Sequence, residues 1–107
     1  MTSSRCVAAT VAGVVAVLAS VEARADDNGK QLAYGEHLSV ECTSCHRIDG
    51  SDDGIPSIIG WPVPTFVAAL KSYRNGARTN PVMVLVANSL EEDQMAALAT
   101  YFGSLQK

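Results

Sequence analysis

Cys42-Thr43-Ser44-Cys45-His46 packs two thiols and an imidazole into five residues. On one helical turn, sulfurs three residues apart can reach the two vinyl groups along one porphyrin edge and form thioethers. The following histidine then falls under the iron as an axial ligand. The spacing therefore predicts one haem c, covalently held through Cys42 and Cys45, with His46 on the metal. Competing chemistries fit less well. A zinc site needs two more ligands, and the only histidines are His37 and His46. A redox dithiol of the thioredoxin kind needs a βαβ context, and strand signals are weak throughout. No nucleophile–base pair or carboxylate pair stands at a spacing that suggests separate catalysis.

A closed haem iron takes a second axial ligand, and the imidazole of the first needs an acceptor on its other nitrogen. The Gly54-Ile55-Pro56 segment is the natural acceptor, through the Pro56 carbonyl. For the second ligand the candidates are Met83, Met95 and His37. Met83 follows Asn80-Pro81-Val82, read as a loop, from which a thioether can point freely. Met95 lies in an apolar helical stripe, where methionine is ordinarily core filler. His37 is five residues from Cys42 and reads as a surface residue. The reading favours Met83. A His/Met pair raises the reduction potential relative to two histidines.

These groups need helices to position them. Leu32, Gly35, Leu38 and Cys42 recur at helical spacing over Gly29–Cys42. Gly35 weakens that helix, which implies a second helix crossing closely there. From Arg47 to Pro64 the density of glycine and proline predicts an ordered loop. Thr65 is expected to cap a helix over Phe66–Asn75, with Gly76 as its left-handed C-cap. Val82–Asn88 is apolar and long enough for one or two turns. Ser89 with Glu92 reads as a capping box opening the last helix, whose stripe is Met95, Leu98, Phe102 and Leu105, widened by Tyr101. Ile55, Ile58 and Ile59 are expected to wall the haem. Trp61 reads as ordinary core, or as packing on the haem or approaching a propionate. Tyr73, Arg74 and Arg78 are candidates to neutralise propionates.

The first 25 residues have another character. Arg5 is followed by an apolar Ala- and Val-rich run over Cys6–Val21, then Ala23-Arg24-Ala25. This predicts a secretory signal peptide over residues 1–25, cleaved after Ala25, with one domain over 26–107. The apolar run is shorter than the ~20 residues of a spanning helix, so no membrane insertion of the mature chain is expected. Cys6 leaves with the leader. Beyond it lie ten of the eleven acids (all but Glu22) and six of the eight bases (all but Arg5 and Arg24), a net charge of −4. That balance argues against nucleic acid as a partner. A domain this small has a thin core and usually needs a staple, which a covalent haem supplies.

The pattern Gly35…Cys42-x-x-Cys45-His46…Pro56…Gly60…Tyr73-x-x-Gly76-x-Arg78…Met83…Leu98-x-x-Tyr101 resembles the class I cytochromes c of small bacterial type. The resemblance covers nearly all of residues 26–107. It implies an all-α fold, three core helices plus a short helix around one covalently attached haem, with the first and last helices crossing near Gly35 and Tyr101. It also implies Pro56 as the partner of His46 and Met83 as the distal ligand. Arg47 departs from the pattern, since many relatives carry glycine there. The interval from Gly35 to Cys42 is one residue shorter than the family's. A narrower resemblance runs through Gly54-Ile55-Pro56-x-Ile58-x-Gly60-Trp61, Phe66 and Asn80-x-Val82-Met83. These segments are similar to the small cytochrome subunits of flavocytochrome c sulfide dehydrogenases. The expectation is a periplasmic, non-enzymatic carrier of single electrons working with redox proteins. The alternative is an electron-accepting subunit beside an FAD-containing sulfide dehydrogenase.

Overall fold

The computed structural model describes residues 26–106; the leader expected over residues 1–25 lies outside the described residues. The fold is all-α, with no strand among the described residues. Helix α1 covers residues 26–38, α2 Val40–Thr43, α3 Val63–Arg74, α4 Pro81–Asn88 and α5 Glu92–Ser104.

The helix expected over Gly29–Cys42 begins by residue 26 and is interrupted at Ser39. The Ser39 hydroxyl donates to Glu36 O at 2.6 Å, a local side-chain bond that competes with regular helix. Its N–H still bonds Gly35 O at 2.9 Å, so the chain turns tightly into α2 and sets Cys42 on that short helix.

Helix α3 starts at Val63, three residues ahead of the expected Phe66, and Thr65 is interior rather than the cap. Proline misleads here: Pro64 sits in the first turn, where no N–H is needed. The far end matches expectation. Asn75 is the C-cap and Gly76 takes φ +87°, the left-handed geometry that glycine adopts without strain. The short apolar stretch is α4, and it includes Met83. The Asn80 side chain accepts from Val82 N at 3.1 Å and Met83 N at 3.2 Å, with Pro81 at the first position. Met83 therefore stands on a capped helical turn, not on the loop expected from Asn80-Pro81-Val82. Ser89 closes α4 instead of opening α5: its hydroxyl donates to Val86 O at 2.7 Å. Glu91 is the N-cap of α5, with its N–H bonded to Gln94 Oε1 at 2.8 Å. Glu92 and Asp93 fill the first turn, where the helix dipole favours anions.

The core is built where α3 meets α5. Phe66 and Leu70 pack with Met95, Leu98, Ala99 and Phe102, and loop residue Ile59 joins them. Phe66 stacks on Phe102 with ring centroids 5.7 Å apart. Each large side chain so buried contributes roughly 1.5–3 kcal/mol, and six such residues with Ala99 make a small core. Helix α1 crosses α5 at Gly35. A Cβ there would fall 2.6 Å from Tyr101 Cβ and against the Ala97 carbonyl, so glycine permits the close approach despite its cost to α1. The shortened interval to Cys42 leaves this crossing intact. Helix α4 packs on α3 and thereby roofs a cleft above the core.

Candidate functional site

The attachment turn is a continuation of α2. Cys42 O accepts from Cys45 N at 3.2 Å and from His46 N at 2.8 Å, which draws both thiols and the imidazole onto one turn. Cys42 is half-buried and points into the cleft; Cys45 is exposed at its mouth. Burial, with the Glu41 charge second, pushes the Cys42 thiol up to about 11. Reactive dithiols are shifted the other way, so this thiol is poorly suited to disulfide exchange.

His46 is buried, and its Nδ1 lies 2.7 Å from Pro56 O. A carbonyl only accepts, so Nδ1 carries a proton, and in the neutral ring Nε2 keeps its lone pair. The ring is thus fixed in the tautomer a metal ligand needs. The loop that supplies this carbonyl is itself anchored: Gly60 N donates to Phe102 O at 2.9 Å.

The cleft and its open mouth span about 660 Å³ of space between atoms. Cys42, His46, Pro56, Ile58, Trp61, Tyr73, Arg78 and Met83 all line it. Of the three candidates for a second axial ligand, only Met83 does so. Met95 is wholly buried in the core, and His37 is exposed on α1. Several walls escaped the sequence reading: Ala69, Val86, Leu90 and Leu98, with Phe66 and Leu70 at the floor. For Leu98 the signal was the helical stripe itself, which does not say whether a residue meets another helix or a cofactor.

Some expectations change. Ile59 lies in the core and Ile55 on the outer lip, which leaves Ile58 as the isoleucine facing the cleft. Arg74 is not in the cleft. Its guanidinium reaches past α3 to donate to Ala87 O at 3.4 Å and to Leu90 O, bracing the C-terminal end of α4. Arg78 does face the cleft, with Cζ 5.7 Å from the Tyr73 ring centroid, a cation–π distance. It forms no ion pair among the described residues. Trp61 lines the cleft and meets Phe66 edge-on at 6.2 Å. Arg47 lies at the mouth between Asp49 at 3.6 Å and Asp53 at 3.5 Å. The N–H and hydroxyl of Ser51 donate to Asp49, at 2.9 and 2.7 Å. They hold its carboxyl below the usual range, with Arg47 adding a smaller effect.

An apolar cleft, a buried imidazole with Nε2 free, a thioether in the same cleft and two thiols on one turn fit a porphyrin. A helical shell with this site defines a haem protein of the c type. No family model matches the chain, but curated relatives do. The chain is 39% identical over 74 residues to the cytochrome subunit of sulfide dehydrogenase of Chlorobaculum tepidum, covering 68% of this chain and 67% of that one. It is 33% identical over 94 residues to a thiosulfate dehydrogenase electron acceptor of Stutzerimonas stutzeri, covering 83% of this chain but only 44% of that longer protein. It is 32% identical over 73 residues to cytochrome c-553 of Desulfomicrobium norvegicum, covering 91% of that protein. The chain belongs to the small c-type cytochromes, haem proteins of electron transport. No helix among the described residues is long and apolar enough to cross a membrane.

Proposed function

We propose that the chain carries one haem c, bound through Cys42 and Cys45 with His46 and Met83 as axial ligands, and serves as a periplasmic carrier of single electrons. The reading rests chiefly on one observation: His46, tied to Pro56 O at 2.7 Å, and Met83 line the same apolar cleft. Haem supplies an iron that accepts and releases one electron. The chain's own residues do the rest. The Pro56 carbonyl orients the imidazole and raises its basicity. Met83 offers a neutral sulfur that favours the reduced state. Ile58, Trp61, Phe66 and Leu98 keep water from the cleft. Arg78, steadied over Tyr73, neutralises a propionate. His46 and Met83 together would hold the iron from both sides of the cleft and leave no position for substrate, which supports a non-catalytic role. Residues 1–25 direct export and are removed after Ala25.

The likeness to the Chlorobaculum tepidum protein supports a second reading. Here the chain is the electron-accepting subunit of a complex with an FAD-containing sulfide dehydrogenase.

Reduced and oxidised visible spectra of protein purified from the periplasm test the first reading, together with the intact mass. The expected result is one haem per chain, a mass beginning at Asp26 and a long-wavelength sulfur-to-iron band in the oxidised form. A colourless folded product rejects it. Co-purification with a flavoprotein distinguishes the second reading from a free carrier.

A further inference from the structure

The segment that carries the Pro56 carbonyl has few holds of its own. Pro56 O accepts the Nδ1 proton of His46 at 2.7 Å. Among the described residues, residues 55–59 make no other hydrogen bond, and the buried Ser57 hydroxyl has no partner. The segment is fixed from its far end instead. Ile59 is buried in the core. Gly60 N donates to Phe102 O at 2.9 Å. The Trp61 carbonyl then lies against the last turn of α5, so close that a Cβ on Gly103 would stand 2.9 Å from its oxygen. The Trp61 ring meets Phe66 edge-on, and Phe66 stacks on Phe102. The end of α5 thus grips this loop by backbone and by side chain.

The grip reaches His46 through the backbone. From Gly60 back to Pro56 the chain can span at most ~3.3–3.6 Å per residue, and the Pro56 ring fixes its own φ. With no hydrogen bond between to absorb it, a shift at Trp61 passes to the Pro56 carbonyl. Glycine weakens a helix relative to alanine, and what its missing Cβ admits at position 103 is the Trp61 oxygen. Neither Gly60 nor Gly103 lines the cleft.

Resting on the haem reading above, we infer that Gly103 is a positioning residue for His46. By admitting the Trp61 carbonyl against α5, it sets where the Pro56 carbonyl stands. That position sets the strength of the hydrogen bond on Nδ1, and with it the basicity of Nε2 toward a metal. A stronger acceptor gives a more basic ligand, which favours oxidised iron; a weaker one raises the reduction potential. Met83 stands on α4, which packs on α3 and not on α5, so the effect belongs to the His46 side alone.

The test follows the His46 Nδ1 proton by NMR in the reduced holoprotein, beside the reduction potential and the visible spectrum. In Gly103→Ala the added carbon must push the Trp61 carbonyl away. The Nδ1 proton should move upfield as its bond lengthens and should exchange with solvent about tenfold faster or more. The potential should rise, and the sulfur-to-iron band should stay. Gly35→Ala is the control, since it crowds α5 at Ala97 and Tyr101, away from the loop. It should leave the Nδ1 proton and the potential unchanged even where it lowers stability. A Gly103→Ala holoprotein that is merely less stable, with ring proton and potential unmoved, overturns the proposal. So does an equal response in Gly35→Ala, or a response confined to the sulfur-to-iron band. If Gly103→Ala yields no holoprotein, the unaltered protein decides. Its His46 Nδ1 proton and its Gly60 amide should exchange with the same dependence on urea, because one clamp protects both. A ring proton that escapes at lower urea than the Gly60 amide overturns the proposal and leaves the haem reading intact. An unaltered protein that is folded and colourless overturns both.

Discussion

At Met83 a sulfur is presented by the first turn of α4, with its N–H held by Asn80. Replacing it with alanine should remove the long-wavelength sulfur-to-iron absorption of the oxidised protein. The reduction potential should fall by on the order of 0.1 V or more, within the ~0.8 V that axial ligands span. Persistence of the band would transfer the role to another sulfur. Cys45→Ser tests the attachment turn. With one thioether left, the yield of stable holoprotein should drop severely, read from bound haem per chain and intact mass; normal yield and stability would remove the covalent staple from the account. The attachment turn was legible because its chemistry is local: CxxCH is complete within five positions. The separation of Arg74 from Arg78 was not. Arg74 ends α3 and reaches across to α4, whereas Arg78 lies past the Gly76 turn and faces the cleft. Only the direction in which α3 ends sorts one arginine from the other.

The elements were legible in kind and less so at their ends. The stripes of α3 and α5 were visible as periodicity, and Gly76 as a cap. Proline was misread twice, as a breaker at Pro64 and as loop at Pro81, though both stand in first turns where a missing N–H costs nothing. The cap of α5 was displaced because Ser89 spends its hydroxyl on Val86 O. Two substitutions bear on this scale. Gly35→Ala should destabilise the holoprotein by roughly 1–3 kcal/mol, the range for overpacking, since the added carbon meets the Ala97 carbonyl and Tyr101. Urea unfolding measures it, and an unchanged midpoint would mean that α1 and α5 do not cross there. Asn80→Ala should cost about 1 kcal/mol, a lost N-cap. Its effect should concentrate on α4, so the sulfur-to-iron band should weaken at a temperature where global unfolding has not begun.

Over the whole molecule the buried side chains divide unevenly, with Ala87 the one buried residue of α4. Helix α3 contacts both α5 and α4. The core lies on the α5 side, whereas α4 rests on α3 and on the reach of the Arg74 guanidinium to Ala87 O and Leu90 O. The overall class was readable from the sequence because a thin helical shell around an apolar cofactor leaves few alternatives. The unequal attachment of the helices was not, because it depends on which faces meet. It has a kinetic consequence. Cooperative units open with free energies set by their own contacts, so α4 should lift away as a foldon while α1, α3 and α5 hold. Amide hydrogens of Val84 to Ala87 should exchange with solvent sooner than those of α5, and small anions such as cyanide should gain entry during those openings. Clipping the guanidinium by Arg74→Ala should raise the rate of cyanide uptake several-fold while the urea midpoint moves far less. On this view the lifetime of the sulfur bond is governed by a residue that touches neither the sulfur nor the cleft.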